Sequence, residues 1–371
     1  MKSVIFLILS VFFLAGCNPK SQPESSNDTP ISNEWINFAG ASGPGTGKNI
    51  VLISGDEEYR SEEALPLLGK ILANQHGFNC TVLFAQDPEK PGTVNPNYLH
   101  NIPGLEALKT ADLMVIFTRF RELPNDQMQM IDDYLKSGKP VIGIRTATHA
   151  FNVKDSTSKW LHYGNYYEGD MAEWQGGFGR LVLGEKWISH HGHHKHQSTH
   201  GVIAATDHPV MRGISNGDIW AATDVYGVRL PLPGDSEPLV LGQVTNRPGE
   251  IDENDPFYGL RPSDSEVATT NPANKDVGNP NDPMMPVAWT KSYQLPGGKT
   301  GRSFATTMGA ATDMTSEGVR RMFVNAAYWL TGLEVPEKAS ANIEGTFNPS
   351  AYNFHKDEYW DEKNLQISDL R

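Results

Sequence analysis

The chain has 371 residues and a formal net charge of −13 at pH 7, from 44 acidic and 31 basic side chains. This acidic balance argues against a nucleic-acid partner and against an electrostatic hold on anionic lipid. The chain has two cysteines. Cys17 lies in a predicted lipid-attachment sequence, which leaves Cys80 without a disulfide partner in the chain. Stability must then come from a hydrophobic core, and roughly 300 residues suffice for one large domain.

Residues 1–16 have the organisation of a lipoprotein signal peptide. A basic start precedes an apolar stretch, residues 4–14, that is too short to span a bilayer. The ending Leu14-Ala15-Gly16-Cys17 resembles the bacterial lipobox, which implies cleavage before Cys17 and its acylation. Residues 17–47 are then a lipidated, flexible tether, and the protein is expected to be exported and membrane-anchored, facing the periplasm or the cell surface. An ordinary signal peptide with an incidental cysteine is the alternative.

Strands and helices alternate in the next part of the chain. Four short apolar runs have the composition of buried parallel strands: 49–54, 79–85, 112–117 and 140–144. Helices are predicted between them, at 61–76, 105–109 and 124–135. Cys80 is expected to be a core thiol inside the second strand. The alternation predicts right-handed βαβ units and a parallel sheet.

Three loops, 55–60, 118–122 and 145–149, leave the carboxyl ends of predicted strands. Ligands of such sheets collect at this edge, so we expect the loops to share one functional rim. The catalytic candidates on them are Glu57, Glu58, Arg145 and His149, and the substrate-binding candidates are Tyr59 and Arg119. Arg145 could instead form a buried ion pair that holds the rim loops, and Arg119 could be a solvated surface side chain.

Residues 187–201 contain half of the twelve histidines. Imidazole serves both as a neutral metal ligand and as a proton carrier near neutral pH. We therefore predict a site for a divalent metal, zinc or similar, with ligands from His190, His191, His193 and His194. If the segment is extended, the first two point to opposite sides, and the bend at Gly192 could bring one of the others alongside. A solvated histidine-rich loop is the alternative.

Later parts of the chain carry weaker patterns. Strand-like runs occur at 201–205, 238–245, 285–289 and 302–307, and an amphipathic helix is predicted at 317–330. Residues 246–283 are expected to be an inserted, partly ordered lid or rim, and residues 336–371 a polar surface tail.

Two candidate groups come from these later parts. Residues 160–179 are rich in aromatics and glycine, which suits sugar stacking through Trp174 or plain loop packing. Asp224 is a candidate catalytic carboxylate beside the histidines, and Tyr226 a candidate substrate contact.

The order of several weak motifs resembles the ThuA-like (trehalose-utilisation) family over roughly residues 48–335. The likeness rests on Asp112 to Phe117, on Gly143-Ile144, on Asp207-His208-Pro209 with Thr223 to Tyr226, and on Gly301-Arg302-Ser303-Phe304 leading to Met308-Gly309. It implies a flavodoxin-like three-layer α/β sandwich with a mainly parallel sheet, as in class I glutamine amidotransferases. It also implies a role in sugar catabolism, including keto-derivatives of disaccharides.

The chain departs from these relatives at two positions. Amidotransferases carry a nucleophilic cysteine on the turn where this chain has Arg145, so glutamine hydrolysis by that route is excluded. Many ThuA-like proteins have histidine at the Arg145 position and again after Gly309, where this chain has Ala310. We expect His149 and the histidines of residues 190–196 to supply the missing imidazoles.

These observations predict an enzyme that acts on a glycoside or keto-sugar, as an isomerase, lyase or hydrolase. Metal-assisted or His/carboxylate acid–base chemistry would carry the reaction. Neither a Gly-x-Gly-x-x-Gly sequence after a strand nor a phosphate loop occurs, so no nucleotide cofactor is expected. A non-catalytic carbohydrate-binding lipoprotein and a scaffold lipoprotein are the alternatives, and the oligomeric state is left open.

Overall fold

An eleven-stranded sheet organises the fold in the computed structural model, which describes Met1 and residues 33–371. Its strands are β1 (Trp35–Phe38), β2 (Asn49–Gly55), β3 (Asn79–Phe84), β4 (Leu113–Thr118), β5 (Val141–Ile144), β6 (Gln197–Ile203), β7 (Trp220–Ala221), β8 (Glu237–Asn246), β9 (Glu266–Val267), β10 (Met285–Gln294) and β11 (Thr300–Thr306). The α-helices of the described residues are α1 (Ser61–His76), α2 (Asn125–Lys136), α3 (Glu317–Leu330) and α4 (Asp357–Lys363). The spatial strand order is β1-β3-β2-β4-β5-β11-β10-β8-β6-β7, and β9 pairs with β8.

The central strands β3, β2, β4, β5 and β11 are parallel, which confirms the βαβ prediction for this part of the chain. Helices α1 and α3 contact each other and pack on these strands. Every residue of β4 and β5 is buried, as expected for strands covered on both faces. Cys80 is a buried free thiol inside β3, as predicted.

The remaining strands make the sheet mixed, so the prediction of a mainly parallel sheet holds only for its centre. β10 pairs antiparallel with both β11 and β8, and β6 continues the antiparallel part to β7. A five-residue connection at 295–299 joins β10 to β11, which only an antiparallel pair permits. Gly297 adopts a left-handed φ of 73° in this turn.

Two segments that were expected to be a polar tether and a polar surface tail carry ordered structure. Residues 33–47, expected in the tether, include the edge strand β1, which pairs antiparallel with β3 from Trp35 to Phe38. Residues 336–371, expected as a surface tail, carry α4 and bury Tyr352 and Trp360 to 0% and 2% exposure. A few apolar side chains anchor each segment despite its polar composition.

The predicted signal peptide, Cys17 and the first part of the tether lie outside the described residues. In the part of the chain that the structure describes, every helix is too short or too polar to cross a bilayer.

Candidate metal and acid–base site

The loops after β2 and β5 are joined at the carboxyl edge of the sheet by Asp56. Its Oδ1 accepts the backbone amides of Glu58, at 2.9 Å, and of Tyr59, and its Oδ2 accepts the Thr146 hydroxyl at 2.6 Å. Burial, with a smaller effect of the Glu57 charge, raises the pKa of Asp56 to about 6. Sequence analysis did not select Asp56, although its place directly after a buried strand was a signal.

Arg145 forms the buried centre of the rim. Its guanidinium lies between the rings of Tyr59 and Tyr226, with Cζ 4.3 and 4.0 Å from their centroids. Nη2 donates to Asp224 Oδ1 at 2.9 Å, and Nη1 donates to the backbone carbonyls of Asp224 and Thr307. Both ion-pair side chains have 0% exposure. This geometry corresponds to the ion-pair alternative, in which Arg145 holds the rim loops together.

Two of the predicted metal ligands, His190 and His194, converge on Asp224. Nδ1 of His190 lies 2.8 Å from Oδ2, and Nδ1 of His194 lies 3.1 Å from Oδ1. One ligand atom from each of the three residues lies within 4.8 Å of the others. Nε2 of His194 is also 3.3 Å from Oε1 of Glu58. Two imidazoles with carboxylates are a donor set that zinc and similar divalent ions accept.

The charges of this cluster are tightly coupled. Burial opposes the charged form of His194, but hydrogen bonds to Asp224 and Glu58 outweigh it and raise the pKa of His194 to about 9. Burial also opposes ionisation of Asp224, yet His190, His194 and Arg145 hold the pKa of this carboxyl well below its usual range. At neutral pH the cluster without a metal therefore keeps a proton on His194 and a negative charge on Asp224.

Local backbone contacts bring His190 to this carboxylate. His190 forms an isolated antiparallel bridge with Tyr226, two residues after Asp224. The amide of Gly192 then donates to the carbonyl of Val225 at 3.0 Å. A Cβ at Gly192 would lie 3.1 Å from Cβ of Asp224, so a larger residue would require the loop or Asp224 to shift by a few tenths of an ångström.

The structure turns the other two predicted ligands, His191 and His193, away from Asp224. Nε2 of His191 lies 2.9 Å from the carbonyl of Pro280, and Asn271 donates to the His191 carbonyl at 3.0 Å. The ring of His193 stacks on that of His196 with centroids 4.0 Å apart. Residues 246–283 thus pack against the outer side of the histidine loop.

His149 lies beside the cluster and is buried. Its ring packs against Phe120, Trp187 and Tyr226, with centroid distances of 4.9, 5.6 and 6.1 Å. The ring of His190 contacts the same tryptophan and Tyr226, so both imidazoles border one wall. Burial lowers the pKa of His149 well below its ordinary value. His149 is therefore neutral at pH 7.

Each carboxylate oxygen of Glu57 accepts a hydrogen bond from an arginine. Its Oε1 accepts from Arg119, and its Oε2 accepts from Nη2 of Arg121 at 2.7 Å. The guanidinium of Arg119 lies over the rings of Phe120 and Phe354, 4.6 and 4.8 Å from their centroids. Glu57 therefore positions Arg119, whereas Glu58 faces His194.

We call Phe120, Tyr166 and Phe354 the aromatic border of the site. Tyr166 and Phe354 are 56% and 50% exposed, and Tyr166 lies 5.9 Å from Phe120 at an interplanar angle of 30°. Trp174, the predicted stacking residue, is instead buried and packs on Tyr163 with centroids 4.5 Å apart. The residues of the 160–179 stretch thus divide between the border and an aromatic core.

Sequence analysis also missed Tyr352, from the segment expected to be a surface tail. Its buried ring stacks on Tyr59 and makes an edge contact with His194. The signal was an aromatic Tyr-Asn-Phe triplet, residues 352–354, inside an otherwise polar stretch.

Comparison with known proteins gives one family match and several similar solved structures. The ThuA family model, described as trehalose utilisation, matches residues 49–330. Two solved ThuA-like proteins resemble the chain: one from Parabacteroides merdae (13% identity, TM-score 0.41, covering 84% of this chain and 98% of that one) and one from Bacteroides uniformis (14%, 0.41, 78% and 93%). A cytoplasmic protein from Salmonella typhimurium is similar at 12% identity and TM-score 0.36, covering 77% of this chain and 99% of that one. No curated protein matches the sequence.

Proposed function

The chain belongs to the ThuA (trehalose utilisation) family, and on that premise we propose that it is a carbohydrate-active enzyme with a divalent metal bound by His190, His194 and Asp224. The observation that carries the proposal is the convergence of their ligand atoms to within 4.8 Å of one another. Glu58, 3.3 Å from Nε2 of His194, is the candidate for a base beside the metal. Zinc is the ion that this set of nitrogen and oxygen donors suits best.

The chemistry we propose is proton abstraction next to a sugar carbonyl. His190, His194 and Asp224 would hold the metal, which would supply Lewis-acid polarisation of the carbonyl oxygen and so acidify the neighbouring C–H bond. His149 is the proposed base: its ring is neutral, and with Nδ1 3.1 Å from the Thr148 hydroxyl, Nε2 is the nitrogen left for the substrate proton. Breaking that C–H bond opens routes to isomerisation of the sugar or to elimination of a glycosidic substituent.

A carbohydrate substrate is supported by the exposed aromatic rings of the aromatic border. Exposed aromatic rings stack on the apolar faces of sugars, and Tyr166 and Phe354 offer two of them. Arg119 lies between Phe120 and Phe354 and brings guanidinium donors to the same place for hydroxyl groups.

Glutamine hydrolysis does not belong to this proposal. Arg145 stands at the strand-end turn, and the thiol of Cys80 is buried in β3, where burial raises its pKa. We also propose that the parallel half of the sheet is related to flavodoxin-like folds and class I glutamine amidotransferases, with Arg145 now a positioning residue. No nucleotide is part of the proposed reaction.

Metal-free acid–base catalysis is a second candidate, favoured by one contact. His190 has 36% of its side chain exposed and keeps Nδ1 2.8 Å from the fully buried carboxylate of Asp224. A carboxylate that orients an accessible imidazole in this way can support general acid–base work without a metal. A non-catalytic carbohydrate-binding protein would use only the aromatic border.

Metal content separates these functions. Protein from Asn33 onward, stripped with chelator and re-equilibrated with zinc, is expected to retain about one ion per chain. The double variant His190→Ala/His194→Ala should lose it. His193→Ala/His196→Ala, in the same loop, is the matched control and should retain it. Wild-type protein that retains no metal would contradict the metal site and leave metal-free acid–base catalysis as the remaining candidate.

We further propose that the protein is exported and anchored through lipid on Cys17. The support is the Leu14-Ala15-Gly16-Cys17 sequence after a short apolar stretch. Cells expressing the full chain should incorporate radioactive palmitate into wild type and the Cys80→Ala variant. Label that persists in Cys17→Ala, or is absent from wild type, would contradict lipid attachment at this cysteine.

A further inference from the structure

We propose that Tyr352 is a positioning residue of the metal cluster, whose ring holds His194 between Asp224 and Glu58. The inference rests on the proposed metal function, which it extends to a part of the chain outside the family match at residues 49–330. The C-terminal segment would then complete the site as well as the fold.

The ring of Tyr352 packs directly against the imidazole of His194. Its ring centroid is 5.3 Å from that of His194 at an interplanar angle of 64°. The same ring stacks on Tyr59 at 5.4 Å and meets Tyr258 edge-on at 5.1 Å. Tyr59 itself lies 6.2 Å from His194, so two buried aromatic rings border the imidazole.

Tyr352 is itself held by hydrogen bonds to two other segments. Its hydroxyl donates to the carbonyl of Ala222, two residues before Asp224, at 3.3 Å. Its carbonyl accepts the hydroxyl of Tyr258. The Tyr352 side chain has 0% exposure, so its ring is tightly packed where it contacts the imidazole.

The next residue, Asn353, ties the same segment to the loop after β2. Its amide donates to the carbonyl of Glu58 at 2.9 Å, and its carbonyl accepts from Nη2 of Arg60 at 2.6 Å. The C-terminal segment is therefore hydrogen-bonded to the backbone of Glu58 and, through Tyr352, to the backbone two residues before Asp224. Glu58 and Asp224 are the two carboxylates that His194 contacts.

The orientation of the His194 ring is critical because each of its two nitrogens has its own carboxylate partner. Its Nδ1 lies 3.1 Å from Asp224 while its Nε2 lies 3.3 Å from Glu58, and a rotation of the ring loses both. Removal of the Tyr352 ring opens space beside the imidazole into which it can turn. Loss of a group that orients a metal ligand typically lowers metal affinity about 10- to 100-fold.

A cobalt titration of the Tyr352→Leu and Tyr352→Phe variants tests the proposal. Phe keeps the ring and should bind Co²⁺ within about threefold of wild type, whereas Leu should bind roughly 10- to 100-fold more weakly and change the visible Co²⁺ spectrum. Tyr293→Leu is the matched control, because Tyr293 is also a buried tyrosine bonded to a backbone carbonyl, in β10. It should lower stability and leave Co²⁺ affinity unchanged.

The outcomes decide between positioning and plain packing. A folded Tyr352→Leu protein with wild-type affinity and spectrum would overturn the proposal, and Tyr352→Met replaces it if the leucine variant does not fold. If wild type binds no Co²⁺, the proposed metal function fails, and crystal structures of wild type and variant decide the inference. A His194 ring that keeps both carboxylate contacts without the tyrosine ring would overturn it, and a rotated ring would support it.

Discussion

Oδ2 of Asp224 lies 2.8 Å from Nδ1 of His190. The carboxylate is fully buried, whereas 36% of the histidine side chain is exposed, so the pair joins the core of the domain to a solvent-accessible imidazole. Arg145 holds the other oxygen of the same carboxylate at 2.9 Å. The position of the accessible imidazole is thus set by a buried ion pair.

Replacement of Arg145 by Met should destabilise the domain strongly. The change leaves Asp224 buried without its cation, a situation that costs about 3–5 kcal/mol in other proteins. Urea unfolding measures the loss, and Arg145→Met/Asp224→Asn should recover part of it because the stranded charge is removed. Arg302→Met, at an exposed position in β11, is the control. A loss for Arg145→Met no larger than that of the control would contradict the assigned role.

Metal affinity should increase with pH up to about 9. The pKa of His194 is raised from an ordinary value of 6.5 to about 9, so the metal-free site holds a proton between these values. A metal must displace that proton, which predicts close to one proton released per ion bound and about tenfold tighter binding per pH unit in this window. Calorimetry in buffers of different ionisation enthalpy measures the release. Binding that is independent of pH would contradict His194 as a ligand.

The same shift makes stability of the metal-free protein depend on pH. Because the folded-state pKa of His194 is raised, its contribution to stability is fully present below about pH 6.5 and is lost as pH rises through about 9. Urea unfolding across this window should show that loss in wild type and a smaller one in His194→Gln. Equal slopes would show that another group carries the dependence.

His149→Ala should separate catalysis from metal binding. His149 borders the cluster through Tyr226 but is absent from the set of converging ligand atoms. On any keto-sugar that wild type converts, we expect kcat to fall about 10²- to 10⁴-fold, the usual contribution of a general base. Metal content should stay at the wild-type level. A variant with unchanged kcat would remove His149 from the mechanism.

Phe354→Ala should weaken carbohydrate binding more than turnover. The ring is half exposed and lies 4.8 Å from the Arg119 guanidinium at the entrance. Loss of one aromatic contact of about 0.5–1.5 kcal/mol raises KM by roughly 2- to 12-fold. Val267→Ala, at an exposed apolar position in β9, should leave KM unchanged. Equal KM values for both variants would argue against a role of the border.

The parallel half of the fold was predictable because its signals are local. Strand β4 is a continuous apolar run and α3 a clear amphipathic pattern, and both lie within a residue of the predicted bounds. The strand order of the antiparallel half was not, since β8 pairs with β10 and with β6, two strands that lie next to it in the sheet but far from it in sequence. Only long-range register decides such an order.

The candidate site was predictable only in part, because long-range contacts also decide which of its side chains converge. The histidine cluster identified the loop, but composition could not tell that His194 faces Asp224 while His191 faces Pro280. That division follows from the bridge of His190 to Tyr226 and the turn after it. Tyr352 reaches the site from a polar segment that no local pattern connects to it.

Anomalous diffraction at the zinc edge tests the central claim most directly. A crystal of protein from Asn33 onward, equilibrated with zinc, should show one strong peak bonded to imidazole nitrogens of His190 and His194 and to an Asp224 oxygen, at about 2.0–2.2 Å. A peak only at His193 and His196, or no peak at full zinc loading, would contradict the metal site and leave the Asp224–His190 pair as the chemistry of this protein.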